Sequence, residues 1–220
     1  MNLLQRTLAE YLGSAGLLMV VVGSGIMGQS LSQGNDAIAL LANSLATGAG
    51  LYALIQTFGP ISGAHFNPAV SLVEFLVKKL SARGWMAYTL AQIAGALSGV
   101  FLAHLIFGLN VLQNSHHARS GLALGISEVI ATFGLLLVIG LSGRRNVEAT
   151  PVAVSCYIVA AYWFTSSTSF ANPAVTIARG FTDTFSGIAP GSILAFIAAQ
   201  FVGAILAYFA TRIFQEKRTT

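Results

Sequence analysis

The chain has 220 residues, of which 55% are hydrophobic and 8% are charged, and its mean hydropathy is +0.75. A soluble domain carries about 25% charged residues, so this composition excludes a soluble protein and predicts one integral membrane domain, residues 1–220. The net charge of +4 does not indicate a nucleic-acid partner, because the basic residues lie between and beyond the apolar segments. Cys156 is the single cysteine, which excludes an internal disulfide.

A spanning helix needs about 20 apolar residues, and six segments reach or approach that length. The first follows Arg6 and could be taken for a signal peptide, but Glu10 lies within it, and no small-residue cleavage site follows. The fifth is short and has room to extend into the Ser/Thr-rich stretch after it. The six predicted spanning helices are 7–28, 37–58, 85–107, 121–142, 150–165 and 191–213.

Two further apolar segments, 67–78 and 173–181, are too short to span a bilayer. Ten residues of helix reach about 15 Å, which is half the hydrocarbon thickness. Each segment begins with Asn-Pro-Ala, at Asn67 and at Asn172, and Asn before Pro is a helix-start signal. The sequence therefore predicts two re-entrant half-helices.

The two halves of the chain, about 1–110 and 120–220, repeat each other. Glu10 begins E-Y-L-G-S-A-G-L-L-M-V and Glu128 begins E-V-I-A-T-F-G-L-L-L-V; Gln92 and Gln200 lie in a second matching pair of segments. Each half holds three spanning helices, so the second half must enter the membrane inverted. The fold class expected is therefore an all-α membrane protein with six transmembrane helices and two re-entrant half-helices in an inverted repeat.

The distribution of basic residues predicts the orientation. Only Arg119 and Arg179 fall on one predicted side, and the positive-inside rule makes the opposite side cytoplasmic, together with both termini. The cytoplasmic set is Arg6, Lys78, Lys79, Arg83, Arg144, Arg145, Arg212, Lys217 and Arg218. The two half-helices then enter from opposite sides, and their N-termini meet near the midplane.

This arrangement predicts a polar lumen. Irregular backbone at membrane depth survives only against protein or a wet cavity, and the stretches 62–65 and 167–171 precede the two Asn-Pro starts. Their carbonyls, if extended, would accept hydrogen bonds along the lumen, while Asn67 and Asn172 would donate at its centre. Two helix N-termini there disfavour cations, so neutral hydroxyl-bearing solutes and water are the expected partners.

Several ionisable residues have two interpretations. Glu10 and Glu128, inside membrane helices, either carry protons or accept hydrogen bonds from the re-entrant loops; their symmetry favours bracing, and Gln92 and Gln200 share that pattern. His65 either lines the lumen or donates to backbone.

Two adjacent histidines, His116 and His117, lie in a polar extracellular loop and form either a metal or pH site or part of a solvated loop; without nearby carboxylates they make a poor metal-ligand set, which favours the solvated loop. No metal site, cofactor or catalytic set of nucleophile, base and carboxylate is expected, so the chain is not predicted to be an enzyme.

The stretch Ser62-Gly-Ala-His-Phe-Asn-Pro-Ala-Val70, the second Asn-Pro-Ala and the paired glutamates resemble the major intrinsic protein family, the aquaporins and aquaglyceroporins. The resemblance covers essentially the whole chain. It implies an hourglass fold, a passive pore in each subunit and a homotetramer in the cell inner membrane. The paired motifs Asn67-Pro68-Ala69 and Asn172-Pro173-Ala174 would lie at the centre of the pore.

One departure from the family bears on the solute. The second motif is usually followed by Arg, which narrows and charges the outer constriction, and here that position is Val175. Family spacing gives Thr47, Ala160 and Ser169 as the other constriction positions. All four are uncharged and small or medium-sized, which predicts a wide, electroneutral filter that passes solutes larger than water. An Arg-less second motif is similar to an arsenical-linked branch of the family, and this resemblance implies glycerol-like polyols, arsenite and methylated arsenicals as cargo, with water.

Arg179 lies one helical turn beyond Val175 and either forms a displaced constriction or caps the half-helix in solvent. Three other functional hypotheses remain at this point: a water-selective channel, a proton-coupled secondary transporter that uses Glu10 and Glu128, and a structural protein with a closed lumen.

Overall fold

The computed structural model describes residues 1–143 and 149–215. Four members of the predicted cytoplasmic set of basic residues lie outside the described residues: Arg144, Arg145, Lys217 and Arg218. In the described ranges every regular element is an α-helix, and there is no strand. The elements are α1 Leu3–Leu31, α2 Asp36–Ser62, α3 Pro68–Leu76, α4 Ala82–Ile106, α5 Leu122–Ser142, α6 Thr150–Phe164, α7 Pro173–Arg179 and α8 Pro190–Gln215.

The predicted fold class is confirmed. Five helices, α1, α2, α4, α5 and α8, are long and apolar enough to cross a membrane. Helix α6, with 15 residues, is shorter. It ends at Phe164 and does not continue into the Ser/Thr-rich stretch, because Thr165 is already extended. The half-helices α3 and α7 have nine and seven residues, so both end well short of a full crossing.

Asparagine side chains cap the starts of several of these helices. The Oδ1 atom of Asn35 accepts hydrogen bonds from the backbone of Ala37 and Ile38 at the start of α2. Asn67 and Asn172 cap α3 and α7 in the same way, with proline in the first turn. Each cap satisfies backbone N–H groups at a helix start, and those of α3 and α7 do so in the buried interior.

The long helices pack in pairs that repeat between the halves. Helix α1 packs against α4 and α2, and α5 packs against α8 and α6. A side chain at Gly95 would collide with the backbone carbonyl of Tyr11, and one at Gly203 with that of Val129. Glycine at these equivalent positions therefore lets the backbones of α1 and α4, and of α5 and α8, approach closely.

Each half-helix bridges both repeats. Helix α3 packs against α4 of its own half and α8 of the other half, and α7 packs against α8 of its own half and α4 of the other half. The two half-helices also contact each other. This crossing places the starts of α3 and α7 next to one another inside the bundle.

Candidate functional site

A cavity of about 280 Å³ lies between the two repeats. Its lining includes Glu74 and Thr150 toward the side of the molecule that carries the N-terminus, and Thr47, Tyr162 and Arg179 toward the other side. The residues between these ends include Leu17, Val21, Leu51, Ile55, Gly63, Ala64, His65, Phe66, Asn67, Val70, Leu135, Ile139, Val154, Ile158, Ser169, Phe170, Ala171, Asn172 and Val175. Most of this wall is apolar, so the few polar groups define where a solute can form hydrogen bonds.

The two asparagines that begin the half-helices line the centre of this cavity and are tied across the repeats. Asn67 Nδ2 donates to the carbonyl of Ala171 at 2.7 Å, and Asn172 Nδ2 donates to the carbonyl of Phe66 at 2.8 Å. Each side-chain oxygen accepts from its own helix start, Asn67 from Ala69 N and Asn172 from Ala174 N. An amide nitrogen carries two hydrogens, so each asparagine keeps a second donor beyond this bond.

Glu10 is fully buried in α1 and holds the loop before α3. Its Oε1 accepts from Ser62 Oγ at 2.6 Å and from the backbone of His65 at 2.9 Å. Its Oε2 accepts from the backbone of Phe66 at 2.7 Å and from Gln92 Nε2 at 2.8 Å. The carboxylate thus satisfies two backbone N–H groups of the re-entrant loop, the contacts that bracing requires.

Glu128 repeats this arrangement in α5. Its two oxygens accept from the backbone of Phe170 and of Ala171, both at 2.9 Å, and from Gln200 Nε2 at 2.6 Å. Gln200 also donates to Thr176 Oγ1, as Gln92 donates to Ser71 Oγ. The repeat seen in the sequence is therefore a repeat of hydrogen-bond networks.

The two re-entrant loops are not the regular extended segments that the sequence suggests. Ala64, Phe66, Thr168, Ser169 and Ala171 all have positive φ between 48° and 62°, the left-handed region. Such a conformation costs a non-glycine residue roughly 1 kcal/mol or more. The buried glutamates offset that cost, because they accept hydrogen bonds from N–H groups that this backbone leaves unpaired.

His65 lines the cavity between the Asn pair and the N-terminal side. Its Nδ1 lies 3.0 Å from Ser71 Oγ, and its ring packs edge-on against Tyr88 with centroids 5.2 Å apart. Of the two interpretations in the sequence, the structure therefore gives His65 a position in the wall of the lumen.

Three of the four positions predicted for the outer constriction line the cavity, and one does not. Thr47, Ser169 and Val175 line the cavity. Ala160 does not: it is exposed on the outside of α6. The face of α6 that lines the cavity is formed by Val154, Ile158 and Tyr162, which recur every four residues, and Ala160 lies two residues, about 200°, away from them.

Tyr162 is therefore the α6 residue at this level, and its hydroxyl lies 3.3 Å from Thr47 Oγ1. The expected small side chain is replaced by a large aromatic one. Family spacing places this position two residues too early, because the stretch before Asn172 contains no motif that anchors the alignment.

The interpretation of Arg179 as a solvated cap is also wrong. Its side chain is buried and lines the cavity, and its Nε donates to the carbonyl of Ser186. Its guanidinium carbon lies 3.4 Å from the centre of the Phe170 ring. The outer end of the cavity thus carries a charged side chain, whereas the sequence predicted an uncharged filter.

His116 and His117 lie outside the spanning helices, beside a carboxylate that the sequence places 67 residues away. Asp183 Oδ1 accepts from the backbone of His116 at 2.8 Å, and Asp183 Oδ2 lies 2.9 Å from His116 Nδ1. These two hydrogen bonds lower the pKa of the Asp183 carboxyl. No His, Cys, Asp and Glu group in the described part of the chain could hold a metal ion.

Fold and site together define a multi-pass membrane protein whose two repeats enclose a cavity with an amide pair at its centre. Residues 1–169 match the model of the major intrinsic protein family. The chain is 52% identical to aquaglyceroporin AqpS of Rhizobium meliloti (strain 1021) over 206 residues, 94% of this chain and 88% of the relative. It is 30% identical to the lens fiber major intrinsic protein of Gallus gallus over 195 residues, 80% of this chain and 71% of that one.

A solved structure, the aquaglyceroporin from Plasmodium falciparum, superposes with a TM-score of 0.75 at 20% identity and 97% coverage of each chain, which supports the fold. The chain belongs to the major intrinsic protein family. The family resemblance and the prediction that the chain is a transport channel rather than an enzyme are thereby confirmed.

Proposed function

We propose that the protein is a passive channel for small neutral solutes, with glycerol-like polyols, arsenite, methylated arsenicals and water as its cargo. The observation that carries this proposal is the cavity between the repeats with Asn67 and Asn172 at its centre. Two donors fixed across from each other suit a molecule that presents hydroxyl oxygens in single file.

The cavity wall favours neutral cargo. Apolar residues such as Leu51, Val70 and Ile158 line it together with the polar backbone of the loop residues 63–66 and 169–171. A polyol can lay its carbons on the apolar residues while its hydroxyls exchange hydrogen bonds with the polar backbone. An ion would lose its hydration shell against the apolar wall without a compensating charge, which is costly.

The same hydrogen-bonding chemistry makes arsenite a proposed solute. At neutral pH it is an uncharged trihydroxide with three hydroxyl groups, as glycerol has, so the same donors and acceptors serve both molecules. The similarity to a protein named an aquaglyceroporin supports the polyol part of this proposal. A weaker similarity, 25% identity over 219 residues, to a glycerol uptake facilitator-like protein of Lactiplantibacillus plantarum points the same way.

We also propose an oligomeric state, a membrane and an orientation for the protein. The chain would act as a homotetramer of single-domain subunits in the inner membrane, each subunit with its own lumen and no cofactor. Its N-terminus would face the cytoplasm, because Arg6, Lys78, Lys79 and Arg83 lie toward that side, whereas Arg119 and Arg179 lie toward the other.

A water-selective channel is the second candidate, and the outer end of the cavity is what favours it. Tyr162 and Arg179 both line that end. The sequence predicted a small side chain in place of Tyr162 and a filter without a charged side chain. The side chains of Tyr162 and Arg179 each narrow the path, and a narrow, donor-rich opening passes water more readily than glycerol.

Stopped-flow light scattering on proteoliposomes separates the two candidates. Wild-type protein is expected to pass water, glycerol and arsenite faster than protein-free liposomes. In Val175→Arg a second guanidinium enters the outer end, so glycerol and arsenite flux should fall about tenfold, equivalent to about 1.4 kcal/mol of barrier, and water flux should fall less.

Water flux without glycerol or arsenite flux in the wild type would favour the water-selective candidate. A wild type indistinguishable from protein-free liposomes for all three solutes would contradict both candidates and favour a structural protein. Equal glycerol-to-water ratios in wild type and Val175→Arg would show that Val175 does not help to select the solute.

A further inference from the structure

We propose that Arg179 supplies the fixed positive charge that position 175 lacks. It lies one turn further along α7, and it is the residue by which the outer end of the cavity excludes cations and protons. The inference rests on the proposed channel function and adds a selectivity residue to it. On a helix, residues four apart share a face and differ by about 6 Å in height. Val175 and Arg179 both line the cavity, so the guanidinium belongs to the same path.

Two contacts fix the position of the guanidinium. Arg179 Nε donates to the carbonyl of Ser186, and the guanidinium carbon lies over the ring of Phe170, itself a cavity-lining residue. The Phe170 ring is supported from behind by Phe196, with ring centroids 5.2 Å apart. The side chain is therefore held in one place rather than left mobile in a solvated vestibule.

Among the residues that the structure describes, no acidic neighbour pairs directly with Arg179, although the buried Glu128 carboxylate attracts its charge from a distance. No carboxylate of residues 1–143 and 149–215 forms an ion pair with it, and its two terminal nitrogens make no hydrogen bond within those ranges. A guanidinium is charged at all physiological pH values, and burying an unpaired charge is very costly. These nitrogens can stay charged only by facing the hydrated cavity that Arg179 lines.

The opposite polar groups at this level complete a binding position for a neutral solute. Tyr162 and Thr47 form a hydroxyl pair 3.3 Å apart, and the buried Oγ of Ser169 has no hydrogen-bond partner in the described protein. A passing hydroxyl can accept from the guanidinium and donate to Ser169 Oγ. A cation meets the same guanidinium as a repulsive charge.

A second arginine strengthens the positive potential. The Arg119 guanidinium carbon lies 5.1 Å from the centre of the same Phe170 ring. Its Nε donates to the carbonyl of Gly187 and its Nη1 to the carbonyl of Ser167. Arg119 therefore adds charge near the outer end of the cavity, while Arg179 is the arginine that lines the cavity itself.

The test compares solute flux with ion leak in proteoliposomes that hold equal amounts of folded protein. Glycerol flux is followed by light scattering, and proton and K⁺ conductance are followed with dyes under imposed gradients. In Arg179→Gln the proton and K⁺ conductances should rise about tenfold or more, the size expected for one unit charge a few ångströms from the path. Arg179→Lys and the surface control Arg83→Gln, which removes an exposed charge from α4, should stay at wild-type leak.

A titratable variant gives a readout that a purely structural role would not move. In Arg179→His the K⁺ conductance should be at least about tenfold higher at pH 8 than at pH 5, because an imidazole loses its charge between these values. The wild type should show no such change. This comparison uses one protein sample at two pH values, so it stands even if Arg179→Gln fails to fold.

The outcomes distinguish the inference from the function it rests on. A wild type that passes no glycerol contradicts the proposed polyol channel. Intact glycerol flux with the same ion leak in wild type and Arg179→Gln, or a K⁺ conductance of Arg179→His that does not change with pH, would overturn the role of Arg179 alone.

Discussion

At the scale of single residues, the two buried glutamates hold conformations that the backbone would not adopt alone. Glu128 is fully buried and accepts from two consecutive backbone N–H groups, those of Phe170 and Ala171. Ala171 is in the left-handed region and its carbonyl accepts from Asn67. One carboxylate therefore positions the carbonyl that orients the asparagine of the other repeat.

Glu128→Gln is expected to destabilise the fold. An amide has one acceptor oxygen, so at least one backbone N–H loses its partner, at a cost of roughly 1–3 kcal/mol. The thermal unfolding midpoint in detergent should fall by roughly 5 °C for a protein of this size. Glu74→Gln is the matched control, because Glu74 lies at the end of the cavity and its carboxylate pairs only with the exposed Lys79, at 3.5 Å, among the described residues. An equal midpoint in Glu128→Gln and wild type would contradict the bracing role.

The repeat in the sequence marks the residues that occur twice, whereas Thr47, Ser169 and Val175 were placed by family spacing. Asn67 and Asn172, and Glu10 and Glu128, are marked by equivalent positions in the two halves, and the networks around them are equivalent in the structure. Arg179 has no arginine at the equivalent position of the first half. Tyr162 could have been identified only from the spacing of four residues that it shares with Val154 and Ile158 on one face of α6. The constriction breaks the symmetry, so the repeat says nothing about it.

At the scale of elements, glycine sets the distance between paired helices. Gly203 of α8 faces the backbone carbonyl of Val129, and Gly95 of α4 faces that of Tyr11. The sequence shows the small residues, but their partners became visible only when the helices were paired. A carbonyl in a helix cannot move aside as a flexible side chain can, so a larger residue must separate the helices.

Gly203→Val is expected to reduce the yield of folded, monodisperse protein strongly, because the added side chain would force α5 and α8 apart. Overpacking of this kind costs roughly 1–3 kcal/mol or more. Gly125→Val in α5 is the control, since an added Cβ there meets nothing within 4 Å. Size-exclusion chromatography and thermal unfolding would measure both variants. Equal stability of the two would show that α5 and α8 do not need this close approach.

At the scale of the whole molecule, the crossing of the half-helices argues against alternating access. A transporter built from inverted repeats usually moves one repeat against the other around a central site. Here α3 packs against α8, and α7 packs against α4, so each half-helix is fixed to the opposite repeat. Reciprocal bonds from Asn67 to Ala171 and from Asn172 to Phe66 would also have to break.

Transport should therefore be uncoupled and non-saturating at low solute concentration. Glycerol flux into proteoliposomes should rise linearly with the gradient and should not change when a protonophore collapses the pH difference. The carboxylates of Glu10 and Glu128 accept hydrogen bonds from the loop backbone, so we expect no proton path through them.

A flux that saturates at low solute concentration and falls with the pH gradient would instead require the repeats to move and the glutamates to release those loops. A disulfide between the repeats distinguishes the two cases, since it would stop a rocking transporter and leave a fixed lumen conducting. The cross-linked protein is expected to retain wild-type glycerol flux, because nothing in the path from Thr150 to Arg179 needs one half to move relative to the other.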